Sequence, residues 1–495
     1  MNRKTERSGL VYMPYIVATL FFLPFILNNY AFNDDFYKQL WGQSHFMQDG
    51  RPIAEVVLRI FSFSHFSVDN VAPLTWMLSI TLLGWVCTYL SSKLNISGEK
   101  PQFLFTALVF CTPAFIENAF FKYDNLTMSI ALALSVIASS IIVKNRRSFS
   151  LVYLLCLGFL CSYQLAMTSF IILSLLMFIF KEIKEGNQKG GLWELIFKAI
   201  ALTVAFATYV AIKPLMPISK YAMEQGTILP PEEIITNITA GVVKYTTLLF
   251  SIYDTLSLIA LTILAAISVG YLISYSAKKL KGNASFYEYA AAFVMIVSVP
   301  LSFIMIFAPL MILKSQPDYL RLLIGLGAFI YMITFLAYRA ASSVKYAKSA
   351  VLILALIPMI DAISKSYIIN NAYSAQHNFS NGISVGVLNS LSTAGIDDIS
   401  EIKYTTHGPV AYETERVMKD YPFTKKLLRG GFVAIPHWAG YEHQAKIKVG
   451  EWVTDNQTKD ACSGTSIAKH INYDIYINNK IAFVDLTKSR CKTDK

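Results

Sequence analysis

Charge is what this sequence has least of. Asp, Glu, Lys and Arg make up 15% of its 495 residues, against roughly a quarter in ordinary soluble domains. A chain this long has room for a large core, but a soluble fold has no place for so many long apolar runs. Nucleotide fingerprints are missing too: neither a Walker A sequence nor a dinucleotide-binding glycine pattern occurs. There is no CxxC pair and no His/Cys spacing of the zinc type. The first apolar stretch follows a basic start but has no small-x-small cleavage site after it, and it is too long for a signal-peptide core. It reads as an uncleaved first span.

What is present is apolar. Hydrophobic residues make up 54% of the chain, and the mean hydropathy is +0.46. A bilayer core ~30 Å thick needs ~20 apolar residues per helix. Runs of that kind lie at 9–29, 71–91, 102–118, 125–143, 149–163, 164–181, 194–212, 254–276, 287–312, 321–338 and 349–367. The stretch 149–181 is too long for one helix and reads as a hairpin turning at Cys161-Ser162-Tyr163-Gln164.

The net charge of +11 would suggest nucleic acid in a soluble protein. Here the basic residues cluster in short loops between apolar runs, so no nucleic acid is expected. One alternate set of loops carries Arg3, Lys4, Arg7; Lys93, Lys100; Lys144, Arg146, Arg147; Lys181, Lys184, Lys189; Lys278, Lys279, Lys281; and Arg339, Lys345, Lys348. Positive-inside topology makes this the cytoplasmic side. Eleven crossings then leave the N-terminus in the cytoplasm and the C-terminus outside.

Two outer segments are longer than turns, 30–70 and 213–253. Within them, 53–66 and about 234–252 have the spacing of helices lying in the membrane interface, with a Pro-Pro turn at 230–231. After about residue 368 the composition turns polar, with strand-like pieces at 402–408, 473–477 and 481–486. The expected architecture is a multispanning α-helical membrane protein with about eleven transmembrane helices. Residues 1–367 form its membrane domain, and 368–495 form a small mixed α/β extracytoplasmic domain. Cys87, Cys111, Cys156 and Cys161 lie in or beside spans, whereas Cys462 and Cys491 stand alone in the tail. A pair in an oxidising compartment is a candidate disulfide.

Ionisable groups at a membrane boundary are expensive and are functional candidates by default. Several gather at the outer helix ends: Asp34 and Asp35, then Asp49, Arg51 and Glu55, in the first outer loop; Glu117, Lys122 and Asp124; Tyr163 and Gln164; and Asp318 with Arg321. A carboxylate in such a place can act as general base on a sugar hydroxyl. Arg and Lys can hold a phosphate and stabilise its departing oxygen. Adjacent acids such as Asp34-Asp35 can instead bind a divalent metal. Nucleotide donors are absent outside the inner membrane, so a transferase there needs a lipid-carried donor.

The first outer loop, with Asp34-Asp35 and then Gly50-Arg51-Pro52, resembles the opening of the O-antigen glucosyltransferases of serotype-converting bacteriophages. These form the GtrII-like family of the GT-C superfamily. Residues 120–138, with Asp124 before a helix of small residues, resemble the family's second outer loop. Tyr163-Gln164 resembles its Tyr-Gln hairpin, and Pro317 with Arg321 its late Pro-x-x-x-Arg element. The resemblance covers roughly residues 10–370. It implies a GT-C-like fold and transfer of glucose from undecaprenyl phosphate glucose to a sugar of the lipopolysaccharide O-antigen. The reaction would take place on the periplasmic face of the bacterial inner membrane, with inversion at the anomeric carbon. It further implies a lipid-glucose synthase and a small flippase in the same pathway.

Within that expectation, Asp34 or Asp35 is the base. Arg51 and Arg321, with Lys122 in reserve, grip the phosphate. Asp124, Tyr163, Gln164 and Asp318 are candidates for the sugar. No metal is expected to be obligatory, although Asp34-Asp35 leaves that open. A polymerase or ligase using a diphosphate-linked donor is the runner-up; it leans on outer-loop Arg and His, and His45, His65 and His377 are scattered. A flippase or transporter predicts internal repeats and mid-membrane charges, neither of which stands out.

Overall fold

The computed structural model describes residues 11–65, 67–94, 102–186, 188–280, 284–344, 346–394, 399–405, 408–428, 447–452 and 454–491. Of the basic-loop residues, Arg3, Lys4, Arg7, Lys100, Lys281 and Lys345 lie outside the described residues, as do Thr406 and His407 of the strand-like piece 402–408. The chain divides into two compact units. One comprises Met1–Asn29 and Gly42–Tyr367, the other Tyr30–Trp41 and Ile368–Lys495.

The first unit is helical. Its longer helices are α1 Met13–Asn28, α3 Pro52–Ser62, α4 Leu74–Lys93, α6 Asp124–Ser140, α7 Arg146–Ser162, α8 Ala166–Glu185, α9 Gln188–Ile212, α10 Pro231–Ser251, α11 Thr255–Lys279, α12 Phe286–Met305, α13 Gly325–Ala340 and the start of α14, Ala347–Thr393. The label α5 is kept for the short helix Ile116–Phe120, and α2 for Asp34–Trp41 of the second unit. Among the described residues seven helical segments are long and apolar enough to cross a membrane. These are Leu74–Lys93, Ala166–Glu185, Lys189–Leu215, Thr255–Lys279, Phe286–Met305, Leu320–Ala340 and Ala347–Thr393. Helices α1 and α6 are apolar but shorter.

Local chemistry sets many of the ends. Asn145 and Ser148 form a capping box that opens α7, directly before Arg146 and Arg147. Asp254 caps α11 by accepting from the Ser257 amide at 2.8 Å. Ser285 and Glu288 form a second capping box at the start of α12. The proline pair at 230–231 opens a helix rather than only a turn. Pro230 is the N-cap of α10 and Pro231 its first residue, where a missing N–H costs nothing.

The apolar run 102–118 departs from expectation. It is not one straight helix. A helix at Gln102–Thr106 tightens into a 3-10 turn at Ala107–Val109, breaks at Cys111-Thr112, resumes as a 3-10 turn at Pro113–Phe115 and ends in α5. Pro113 has no amide hydrogen to continue the ladder. Irregular backbone at such a place is tolerated only where protein covers it, and every residue from Phe105 to Ser129 is buried. Helix α13 supplies the cover. A Cβ on Gly327 would stand 2.0 Å from the Val109 carbonyl oxygen, so the close approach of α13 to the break requires glycine. Around the break, α6 packs on α4, α7 and α8, and α13 packs on α8 and α11.

The second unit holds α2, the end of α14 and a five-stranded sheet. Its strands are β1 Glu401–Tyr404, β2 Lys448–Glu451, β3 Thr465–Lys469, β4 Asp474–Asn478 and β5 Ile481–Asp485, in the order β2-β1-β5-β4-β3. Strands β2, β1 and β5 run parallel, and β5, β4 and β3 antiparallel. The strand-like pieces of the tail are thus β1, β4 and β5. Ile383, Val387 and Leu391 of α14 form the core with Ile402, Tyr404, Ile475, Ala482 and Val484. Two helices, α15 Tyr412–Asp420 and α16 Asp455–Ser463, accompany the sheet. Cys462 at the end of α16 is disulfide-bonded to Cys491, with Cα atoms 5.2 Å apart.

Candidate functional site

The sequence motifs of the first unit converge on Arg51. The loop before α3 folds so that the Arg51 amide donates to the Phe46 carbonyl at 2.8 Å. Gly50 adopts φ +74°, a left-handed conformation that favours glycine. A Cβ there would also lie 2.7 Å from the Tyr209 hydroxyl. The turn between α7 and α8 brings in Gln164, whose Nε2 donates to the Gly50 carbonyl at 3.2 Å and to Tyr209 Oη at 2.8 Å. Tyr209, from α9, donates to the same carbonyl at 3.1 Å.

The Arg51 side chain is 18% exposed, and its Nη1 lies 3.6 Å from Oδ2 of Asp124 at the start of α6. Its guanidinium stands 5.1 Å from the centre of the Tyr163 ring, a cation–π contact. Its Nε is buried and makes no hydrogen bond. A buried donor left unmade is costly, and this one belongs to a cation.

A second arginine has a parallel arrangement. The Arg321 amide donates to Glu117 Oε2 at 3.0 Å, and its Nε lies 3.8 Å from Oε1. Its guanidinium sits 4.6 Å from the centre of the Phe121 ring and 5.3 Å from that of Tyr319. Tyr163 links the two arginines: its ring faces Arg51, and its hydroxyl donates to the Arg321 carbonyl at 2.8 Å. Arg51, Asp124, Tyr163, Gln164 and Arg321 are therefore brought together. The donor groups of Tyr163 and Gln164 bond within the protein, to the Arg321 carbonyl, the Gly50 carbonyl and the Tyr209 hydroxyl.

Lys122 is 5% exposed. Its carbonyl accepts from Thr75 Oγ1 at 2.9 Å and Asn125 Nδ2 at 3.0 Å, which ties the α5–α6 turn to α4. Asp318 sits in a loop held by α10, where Lys244 donates to the Gln316 carbonyl and Tyr245 to that of Pro317 at 2.8 Å.

Asp34 and Asp35 belong to the second unit, where they open α2. Carboxylates in a first helical turn are favoured by the helix dipole. Asp34 is exposed, while Asp35 is fully buried. Tyr373 donates to the Ala31 carbonyl at 2.6 Å and packs its ring 5.5 Å from Phe32, which seats α2 on α14. Burial holds the Tyr37 hydroxyl above its usual range, and the charges of Glu451 and Asp34 push it further the same way. Among the described residues no three His, Cys, Asp or Glu side chains gather into a group able to hold a metal.

Sequence reasoning passed over Tyr209. It lies inside the apolar run 194–212, where a lone tyrosine near a helix end reads as an interfacial anchor. The pairing of Glu117 with Arg321 was equally hidden, because 204 residues separate them.

Residues 23–338 match the family of the glucosyl transferase GtrII. The chain belongs to that family. The match takes in both arginines, their acids and the Tyr-Gln turn, and stops before α14. The chain is also similar to an uncharacterised 55.3 kDa protein in the gtrB 5' region of Salmonella phage P22, 25% identical over 243 residues. That likeness covers 48% of this chain and 49% of the phage protein, so the chain spans about half the length of the relative it matches. No solved structure matches.

Proposed function

We propose that this chain is a glycosyltransferase that moves glucose from undecaprenyl phosphate glucose to a sugar of the lipopolysaccharide O-antigen. We place the reaction on the periplasmic face of the bacterial inner membrane, within a GT-C-like fold of eleven crossings. The observation that carries the reading is Arg51: a largely buried guanidinium with an unspent Nε donor, beside a second arginine tied to it through Tyr163. Such an arrangement suits a phosphate oxygen. Each arginine lies beside a carboxylate, Arg51 at 3.6 Å from Asp124 and Arg321 at 3.8 Å from Glu117.

In this reading the acceptor hydroxyl gives its proton to Asp34 or Asp35 and its oxygen attacks the anomeric carbon in line. The bond from that carbon to the phosphate oxygen breaks, and polyprenyl phosphate leaves with inverted configuration at the sugar. Arg51 and Arg321 stabilise the charge that develops on the leaving oxygen. Of the two aspartates, Asp34 is the exposed one and is the more accessible to an acceptor. Asp124, Tyr163, Gln164 and Asp318 are the proposed sugar contacts, with Lys122 the reserve cation. The lipid-glucose synthase and the flippase that supply the donor belong to the same proposal.

The test is transfer from synthetic polyprenyl phosphate glucose to O-antigen by purified wild type, Asp34→Asn and Asp35→Asn, with and without chelator. Transfer by wild type, lost in one folded Asn variant, supports the reading and identifies the base. Loss of activity with chelator makes a metal part of the site. No transfer from any polyprenyl phosphate sugar overturns the reading in favour of a polymerase, ligase or transporter.

A further inference from the structure

We propose that Tyr209 is a positioning residue for Arg51, acting with Gln164 through the Gly50 carbonyl. The inference rests on the reading of Arg51 as a ligand of the donor phosphate. The Gly50 carbonyl belongs to the peptide that leads into Arg51, so fixing it fixes where the arginine leaves the backbone. It accepts from Tyr209 Oη at 3.1 Å and from Gln164 Nε2 at 3.2 Å, and Gln164 Nε2 also donates to Tyr209 Oη at 2.8 Å.

The protons balance. A carboxamide has two N–H donors and a phenol one O–H donor, so each is used once and the triangle closes. The next peptides are fixed as well: Arg51 N donates to Phe46 O at 2.8 Å, and Arg51 O accepts from Glu55 N at 3.2 Å. The guanidinium end is held more lightly, by one carboxylate at 3.6 Å and a ring face at 5.1 Å. The aim of Arg51 is therefore set from its backbone side. Tyr209 is buried at 6% exposure, 159 residues along the chain from Gly50, and it is the member of the triangle that no sequence motif contains. A ligand group held in advance of binding loses less entropy when the phosphate arrives.

The test is a double-mutant cycle on the full-length protein in detergent, reading the affinity for sugar-free polyprenyl phosphate. Tyr209→Phe removes two hydrogen bonds of the triangle, the one donated to Gly50 O and the one accepted from Gln164 Nε2, and is expected to weaken binding about three- to tenfold, with Gln164→Leu acting likewise through its own two donated bonds. Arg51→Gln weakens binding more, and Tyr209→Phe adds nothing further in the Arg51→Gln background. A merely structural role would give the same loss in both backgrounds; that result, or wild-type affinity in Tyr209→Phe, overturns the proposal. If Tyr209→Phe does not yield folded protein, Gln164→Leu carries the same cycle. If wild type binds polyprenyl phosphate but transfers no glucose, the transfer reading fails and the cycle still decides the role of Tyr209. If wild type binds no polyprenyl phosphate, both fall.

Discussion

An arginine carries five N–H donors in a fixed plane, and Arg51 leaves part of that plane unspent. Its nearest carboxylate oxygen is 3.6 Å away, beyond ordinary hydrogen-bond distance, and its Nε bonds to nothing in the protein. A lysine would keep the charge but lose the plane, the stacking on Tyr163 and the second donor. We therefore expect Arg51→Lys to lower kcat/KM for the lipid-linked donor on the order of tenfold to a hundredfold, with thermal stability close to wild type. Steady-state kinetics alongside a melting curve in detergent checks this, and an unchanged kcat/KM removes Arg51 from the site. The charges of this cluster were legible in the sequence because ionisable residues are few beside the apolar runs. Their partners were not. The contacts of Arg51 with Asp124 and of Arg321 with Glu117 join segments that only folding brings together. The bonds that Tyr163 and Gln164 donate to protein oxygens cannot be read from residue type, since the same groups serve equally well for sugar.

Hydropathy located the helices because it reports how apolar a stretch is. It does not report whether the backbone ladder is continuous, and the stretch 102–118 is as apolar as its neighbours yet broken in the middle. The break is stable because α13 lies against it without a side chain in the way. Adding one methyl tests that account. Gly327→Ala places a Cβ 2.0 Å from a backbone oxygen, and backbone yields less than a flexible side chain does. We expect a loss of about 1–3 kcal/mol or more, read as a lowered melting temperature in detergent. Gly270→Ala, where a Cβ meets nothing within 4 Å, is the control and should melt at or slightly above wild type, because alanine in a helix interior loses less backbone entropy than glycine. Equal melting of the two variants would mean that the α13 approach is looser than described. The break also ends in α5, which carries Glu117, and Glu117 holds the Arg321 amide. Strain at Gly327 should therefore reach the second arginine before the first.

For the whole molecule, the same break decides which side of the membrane the tail is on. With the other ten runs taken as crossings, as the hydropathy expects, a crossing at 102–118 makes the number of crossings between the end of α4 and the tail odd, and the two lie on opposite faces. If it enters and returns, the number is even and they share a face. The basic loops favour the first arrangement, because a change of parity at this point would put Lys144, Arg146 and Arg147 outside, against the positive-inside bias. Single-cysteine labelling separates the two. Ser92→Cys, exposed at the end of α4, and Ser489→Cys, exposed beyond β5, serve as the probes in intact spheroplasts treated with a membrane-impermeant maleimide. Background labelling should be small, since Cys87, Cys111, Cys156 and Cys161 are buried and Cys462 is bonded to Cys491. We expect Ser489→Cys to label at once and Ser92→Cys only after permeabilisation. Labelling of both without permeabilisation, or of neither, makes 102–118 a re-entrant segment. In the second case the tail, with its disulfide, would sit in the reducing cytoplasm, where such bonds rarely persist.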